Sequence, residues 1–160
     1  MPDTVSDNAR DTANVIAPPP LIFAIPLIAG LVANWLRPLP VSETGQLLWI
    51  GIPIVTLGFF LAAAAMFNFK RAKTAIVPYS PTTSIVSSGP FRFTRNPMYV
   101  SFILIYTGLS LAANTLWPFF LLPLAVVVLR RGVIDREEKY LERKFGSSYT
   151  DYKSRVRRWI

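Results

Sequence analysis

The chain has 160 residues, just over half of them apolar, with 17 basic and 9 acidic side chains and a formal net charge of +8. It contains neither cysteine nor histidine. That excludes disulfides, thiolate metal sites, a histidine-based zinc centre and a Ser-His-Asp triad. Long stretches carry no charge at all, the pattern of a membrane protein rather than of a soluble domain.

The first eighteen residues hold Asp3, Asp7 and Asp11 against the single Arg10. A secretory signal begins with a basic stretch followed by an apolar one, which this segment lacks. Its composition predicts a short disordered polar tail over 1–18.

Four segments follow that approach the ~20 apolar residues needed to cross a bilayer. They run from about Pro19 to Leu36, Leu47 to Phe69, Met98 to Ala113, and Leu116 to Leu129. The last two are joined only around Asn114-Thr115, which reads as a tight helical hairpin. Pro118 falls in the first turn of its second arm, where proline is tolerated. Pro26, Pro53 and Pro123 fall inside helices and predict bends. The predicted fold is an all-α integral membrane protein, about four transmembrane helices with a C-terminal cytoplasmic helix.

Of the 17 basic residues, all but Arg10 and Arg37 lie beyond position 69, in the loop after the second span and after the fourth. Cytoplasmic segments are enriched in Lys and Arg, so both basic regions, and with them both termini, are expected on the cytoplasmic side. The loop from Lys70 to Pro97 is broken by Pro78, Pro81, Gly89 and Pro90, and reads as extended chain rather than helix. It ends in "GPFRFTRNPMY", two arginines and three aromatic rings stiffened by prolines at the mouth of an apolar segment.

The stretch after the fourth span begins "GVIDREEKYLERKFG". At 100° per residue, Leu141 and Phe145 fall within about 20° of Ile134, and Arg136, Lys139 and Arg143 fall on the opposite side. Glu137 and Glu138 flank the apolar stripe, and Gly146 is a natural stop. A carboxylate beside an apolar seam at a membrane surface is costly unless paired. Arg92 and Arg95 of the facing loop are candidate partners, and so is a cationic ligand. Plainer readings are solvation, or pairing with Arg130 and Arg131 along the helix. The arginines of "GPFRFTRNP" equally suit a headgroup anchor, and the basic end "KSRVRRW" suits contact with anionic lipid.

Taken together, "SGPFRFTRNPMY", the apolar hairpin and "REEKYLERKFGSSYTDYKSRVRR" resemble the isoprenylcysteine carboxyl methyltransferase family, which is related to the phospholipid methyltransferases. The likeness covers roughly residues 68 to 158 and marks 70–160 as a methyltransferase-like region behind two transmembrane helices over 19–69. It implies a membrane enzyme using S-adenosylmethionine, with Arg95, Asn96, Pro97 and Tyr99 from the first motif and Glu137 and Glu138 from the second closing over the cofactor. Gly89, Pro90 and Arg92 would shape the approach. Arg95, Asn96 and Glu138 are the residues expected at the chemistry, and no metal is expected. Two positions depart from the family pattern. Asn96 replaces a histidine and cannot take a proton at neutral pH. Ser101 stands where a glycine often follows the tyrosine, making close backbone approach to the cofactor less open.

The expected partners are membrane lipids and a lipophilic small-molecule or lipid-linked acceptor, possibly a carboxylate or a lipid amine, in a bacterial cytoplasmic membrane. Nucleic acid is not expected, and the oligomeric state stays open. The alternative is a non-catalytic membrane module whose basic face binds anionic lipid or a partner protein.

Overall fold

The computed structural model describes residues 11–160. Helix α1 spans Pro19–Leu36 and α2 spans Leu47–Arg71. A single 3-10 turn, Gly89–Arg92, precedes α3 at Pro97–Ala112. Then come α4 at Trp117–Leu129, α5 at Asp135–Phe145 and α6 at Ser147–Arg155. Among the described residues no strand forms beyond one isolated parallel bridge, Thr94 to Arg157. The expected all-α class therefore holds, and the four apolar segments match α1 to α4 closely.

Local chemistry explains the boundaries. Proline sits in the first turn of α1, α3 and α4, where its missing N–H leaves no helical hydrogen bond unmade. Asn114 turns the chain between α3 and α4 with a φ of 49°, a conformation asparagine tolerates. Its side chain accepts from the backbone N–H groups of Val41 and Ser42 at 3.2 and 3.0 Å, and donates to the Ser42 carbonyl at 2.7 Å. The tip is thus tied to the α1–α2 loop. Gly146 ends α5 at a φ of 54°.

The arms of the expected hairpin do not pack chiefly on each other. α3 lies along α2, and α4 lies along α1. Small residues decide this. A Cβ on Gly51 would stand 2.5 Å from the Gly108 carbonyl oxygen, and one on Gly108 would stand 2.7 Å from that of Gly51. Glycine on both sides lets the α2 and α3 backbones touch, as small residues do between helices in lipid. Likewise a Cβ on Gly30 would meet Pro118 at 2.8 Å. The core between these pairs holds Phe23, Tyr106, Ala125 and Leu129, with the Tyr106 hydroxyl donating to the Pro118 carbonyl at 2.7 Å.

Three helices are long and apolar enough to cross a membrane: Pro19–Leu36, Leu47–Arg71 and the continuous Trp117–Phe145. The chain is an integral membrane protein. The third expected span, α3, has 16 residues and falls short of that length. The fourth continues through a π turn, Arg130–Ile134, straight into α5, so the expected C-terminal helix is an extension of the span rather than a separate element. We place the end of the spanning part at Leu129, where the charged residues begin.

The expected free tail over 1–18 lies partly outside the described residues. Its described part is docked. The Ile16 N–H donates to the Gly132 carbonyl at 3.2 Å, and the Ile16 side chain fills the space where a Gly132 Cβ would sit. Arg136 donates to the Asn14 carbonyl at 2.7 Å, and Asp11 pairs with Lys144. The charge pattern concealed this, because Ala13 and Val15 are the buried members of a mostly polar stretch.

Candidate active site

Two segments widely separated in sequence meet at the charged end of the helices. The Arg95 N–H donates to the Arg157 carbonyl at 2.9 Å, and the Thr94 hydroxyl and Asn96 amide donate to the Arg158 carbonyl at 3.1 and 2.9 Å. Gly89 at a φ of 59° and Pro90 shape the 3-10 turn that buries Phe91. The Phe91 carbonyl accepts from the Tyr152 hydroxyl of α6 at 2.8 Å. Under this junction lies a cavity of about 230 Å³. Its walls are the first turn of α3, the inner face of α5, the extended 75–86 segment and the start of α1.

Of the residues picked out in the sequence, Arg95, Asn96, Pro97, Tyr99, Glu137 and Glu138 all line this cavity. Gly89, Pro90 and Arg92 do not; Arg92 is exposed and makes no ion pair among the described residues. Gly89 and Pro90 act one step back, through Phe91, which does line it. Ser101 faces away. It is fully buried beside Gly58 of α2, with its hydroxyl donating to the Met98 carbonyl at 2.6 Å, so the lost glycine leaves the cavity untouched.

The two glutamates differ sharply. Glu138 is buried inside a cluster of cations. Arg158 forks onto it, Nε to Oε1 at 3.1 Å and Nη2 to Oε2 at 2.7 Å. Arg95 Nη2 touches Oε1 at 3.3 Å, and Lys153 stands 3.7 Å from Oε2. The expected partner Arg95 is present, Arg92 is not, and the principal partner is Arg158. Placing the whole basic end at lipid headgroups therefore fails for Arg158, whose guanidinium turns inward to Glu138 and Asp135. Arg155 and Arg157 remain exposed.

Glu137 has no cation within ion-pair distance among the described residues. Its two carboxylate oxygens share the single Tyr99 hydroxyl donor, at 2.7 and 2.8 Å. Burial pushes its carboxyl up to about 7, against the Tyr99 hydrogen bond, which lowers it, while the Glu138 charge raises it further. Arg95 is the counterpart. Its side chain is 8% exposed, one nitrogen touches Glu138, and Nε and Nη1 have no partner among the described residues. A buried guanidinium with two unpartnered nitrogens is an uncommon and costly arrangement unless a ligand completes it. Around it burial raises the phenols of Tyr149 and Tyr152, the latter to about 12; the Glu138 charge adds to the Tyr149 rise, and the Arg95 charge offsets part of each, helped at Tyr149 by the nearness of its hydroxyl to the guanidinium.

Sequence reasoning missed Tyr140, which by helical angle lies off the apolar stripe. Its buried hydroxyl accepts from the Thr82 N–H and donates to Asp11, both at 3.1 Å, so it ties the 75–86 wall and the N-terminal segment to α5. Arg158, Tyr149 and Lys153 were also missed as site residues. Their only signal was the family-like "FGSSYTDYKSRVRR" ending, whose aromatic and basic spacing gives no partner by itself.

The sequence profile of the phospholipid methyltransferase family matches residues 47–148, from the start of α2 into α6. The chain belongs to that family. The match spans both halves of the cavity, the first turn of α3 and the Glu137-Glu138 pair. Among curated relatives, an uncharacterized protein of Haemophilus influenzae is 38% identical over 63 residues, which is 39% of this chain and all of that one. Protein-S-isoprenylcysteine O-methyltransferase of Mus musculus is 30% identical over 129 residues, 71% of this chain. Protein-S-isoprenylcysteine O-methyltransferase B of Arabidopsis thaliana is 29% identical over 115 residues, 68% of this chain. The chain spans 42% of the mouse enzyme's length and 57% of the plant enzyme's. No solved structure matches significantly. The mouse and plant relatives are isoprenylcysteine methyltransferases, and the chain is similar to them over about two thirds of its own length.

Proposed function

We propose that the chain is a membrane-embedded methyltransferase that binds S-adenosylmethionine in this cavity and acts on a lipophilic acceptor reaching it from the bilayer. The carrying observation is that one cavity is lined both by Arg95, whose single contact with Glu138 leaves two nitrogens unpartnered, and by Glu137, which has no ion pair among the described residues. Arg95 offers Nε and Nη1, and Glu137 offers a carboxylate bonded only to Tyr99. S-adenosylmethionine is itself zwitterionic, with a carboxylate that can accept from an unpartnered Arg95 nitrogen and an ammonium and sulfonium for a carboxylate. Bound there, it would supply an electrophilic methyl group.

The chain's own residues then have distinct tasks. Arg95 holds the carboxylate and Glu137 faces the cation. Tyr99 fixes the Glu137 carboxylate from the first turn of α3. Phe91 and Phe102 give aromatic and apolar wall against which a base ring or an acyl chain can lie. Asn96 acts by hydrogen bonding, its amide holding the Arg158 carbonyl rather than moving a proton. An acceptor carboxylate is already a nucleophile and needs no base. An amine acceptor must lose a proton, and Glu137, poised to about 7, is the group on this wall able to take it. The cluster of Lys and Arg at this end supports a cytoplasmic site with both termini on that side.

The test is calorimetric titration of S-adenosylmethionine into detergent-purified protein, alongside Glu137→Gln and Arg95→Met. Saturable binding to the wild type, weakened at least tenfold in each variant, is expected from loss of one charged hydrogen bond apiece. A folded wild type that binds no S-adenosylmethionine refutes the enzyme reading and leaves the lipid-binding module.

A further inference from the structure

Glu138 is the one group shared by every cation at the site, and the sharing is unequal. Arg158 takes it with two hydrogen bonds, at 3.1 and 2.7 Å, while Arg95 makes a single contact at 3.3 Å. That inequality is what leaves Arg95 Nε and Nη1 unpaired. A carboxylate prefers two-point contact with a guanidinium, so Glu138 without Arg158 would turn to the next one. The next one is Arg95. Lys153 cannot substitute, because it is 3.7 Å away and already 2.6 Å from Glu142.

We propose that Arg158 is a positioning residue that limits Glu138 to a single contact with Arg95 and so keeps Arg95 Nε and Nη1 open to an anionic group in the cavity. This rests on the reading of the cavity as an S-adenosylmethionine site. Arg158 lies outside the 47–148 family match. Its backbone is anchored independently of its side chain, since its carbonyl receives Asn96 and Thr94 and the neighbouring Arg157 carbonyl receives Arg95. Trp159 beyond it packs on the core. Truncating the Arg158 side chain therefore leaves the C-terminal segment docked while releasing Glu138.

The experiment is S-adenosylmethionine binding by calorimetry to wild type, Arg158→Ala and the double variant Arg158→Ala/Glu138→Gln, each checked for folding by near-ultraviolet circular dichroism. Arg158→Ala is expected to weaken binding about tenfold or more, the scale of one charged hydrogen bond. The double variant is expected to recover to within about threefold of wild type, because a neutral amide no longer competes for Arg95, and because Glu138, taken up here by two arginines, is not given the direct cofactor role that the resemblance implied for it. An unrescued loss overturns the proposal, and so does a loss and recovery that only track the unfolding midpoint, since relieving a buried, uncompensated Glu138 charge would by itself produce that. Unchanged binding in Arg158→Ala also overturns it, with the cofactor reading intact. A wild type that does not bind sinks that reading and this one together. Should Arg158→Ala fail to fold, Arg158→Lys keeps the charge but not the fork. It is expected to weaken binding about threefold or more and to be rescued by the same Glu138→Gln change; a loss without rescue refutes the assignment there too.

Discussion

Glu137→Gln separates what the buried carboxylate costs the fold from what it gives the site. Glu137 titrates near 7 in the folded protein against an ordinary value of 4.5. A carboxyl whose folded value is raised binds its proton more tightly folded than unfolded. Stability is then fullest below about 4.5 and falls as pH rises to about 7, above which it stays at the lower level. The gap corresponds to about 3 kcal/mol at ~1.4 kcal/mol per pH unit. Gln is near-isosteric, neutral, and still able to accept from Tyr99. Glu137→Gln should therefore match the wild type at pH 4.5 and exceed it by up to about 3 kcal/mol above pH 7, read as unfolding midpoints across that range in one detergent. Ligand binding should run the opposite way. A cationic ligand favours the ionised carboxylate, so wild-type S-adenosylmethionine affinity rises with pH up to about 7 and then levels, while the variant's weaker affinity stays flat there. Parallel stability curves from pH 4.5 to 8 would refute the assignment of a buried, uncompensated carboxylate.

Three further outcomes follow from the geometry. Tyr99→Phe removes the hydrogen bond that lowers the Glu137 carboxyl, so the pH at which cofactor affinity levels off should move upward, measured by the same titration at several pH values. Gly51→Val places a Cβ 2.5 Å from the Gly108 carbonyl oxygen, so α2 and α3 must separate; overpacking of this kind costs about 1–3 kcal/mol or more, and an unchanged unfolding temperature would contradict the backbone contact. Asn96→Ala removes the donor to the Arg158 carbonyl and should cost about 1 kcal/mol of stability, seen as a lowered unfolding midpoint.

Much of the site was legible in linear order because its two halves are each local. "RNPMY" places Arg95 and Asn96 just before α3, with Tyr99 in its first turn, and "REEKY" puts two carboxylates beside an apolar stripe. The second pattern follows from helix geometry and the first was marked by the family resemblance; Arg95, Asn96, Pro97, Tyr99, Glu137 and Glu138 all line the cavity. Partner choice was not legible. Helical angle treats Glu137 and Glu138 nearly alike, yet one is encased by Arg158, Arg95 and Lys153 and the other meets only Tyr99. The distinction depends on a C-terminal segment folding back across some twenty residues, which no local period reports. Tyr140 was hidden for the same reason, since its partners come from the N-terminal segment and from the 75–86 wall.

The sequence by itself determined the elements: apolar length makes the spans, proline and asparagine set their ends, and the placement of Lys and Arg divides one end of the molecule from the other. Only the tertiary structure decided which helices pair and which carboxylate is left without a cation. Pairing turns on backbone contact at Gly51 and Gly108, and the free carboxylate on which guanidinium reaches Glu138 with two hydrogen bonds. Both are contests among several chemically adequate partners, and only distance in the folded chain separates them.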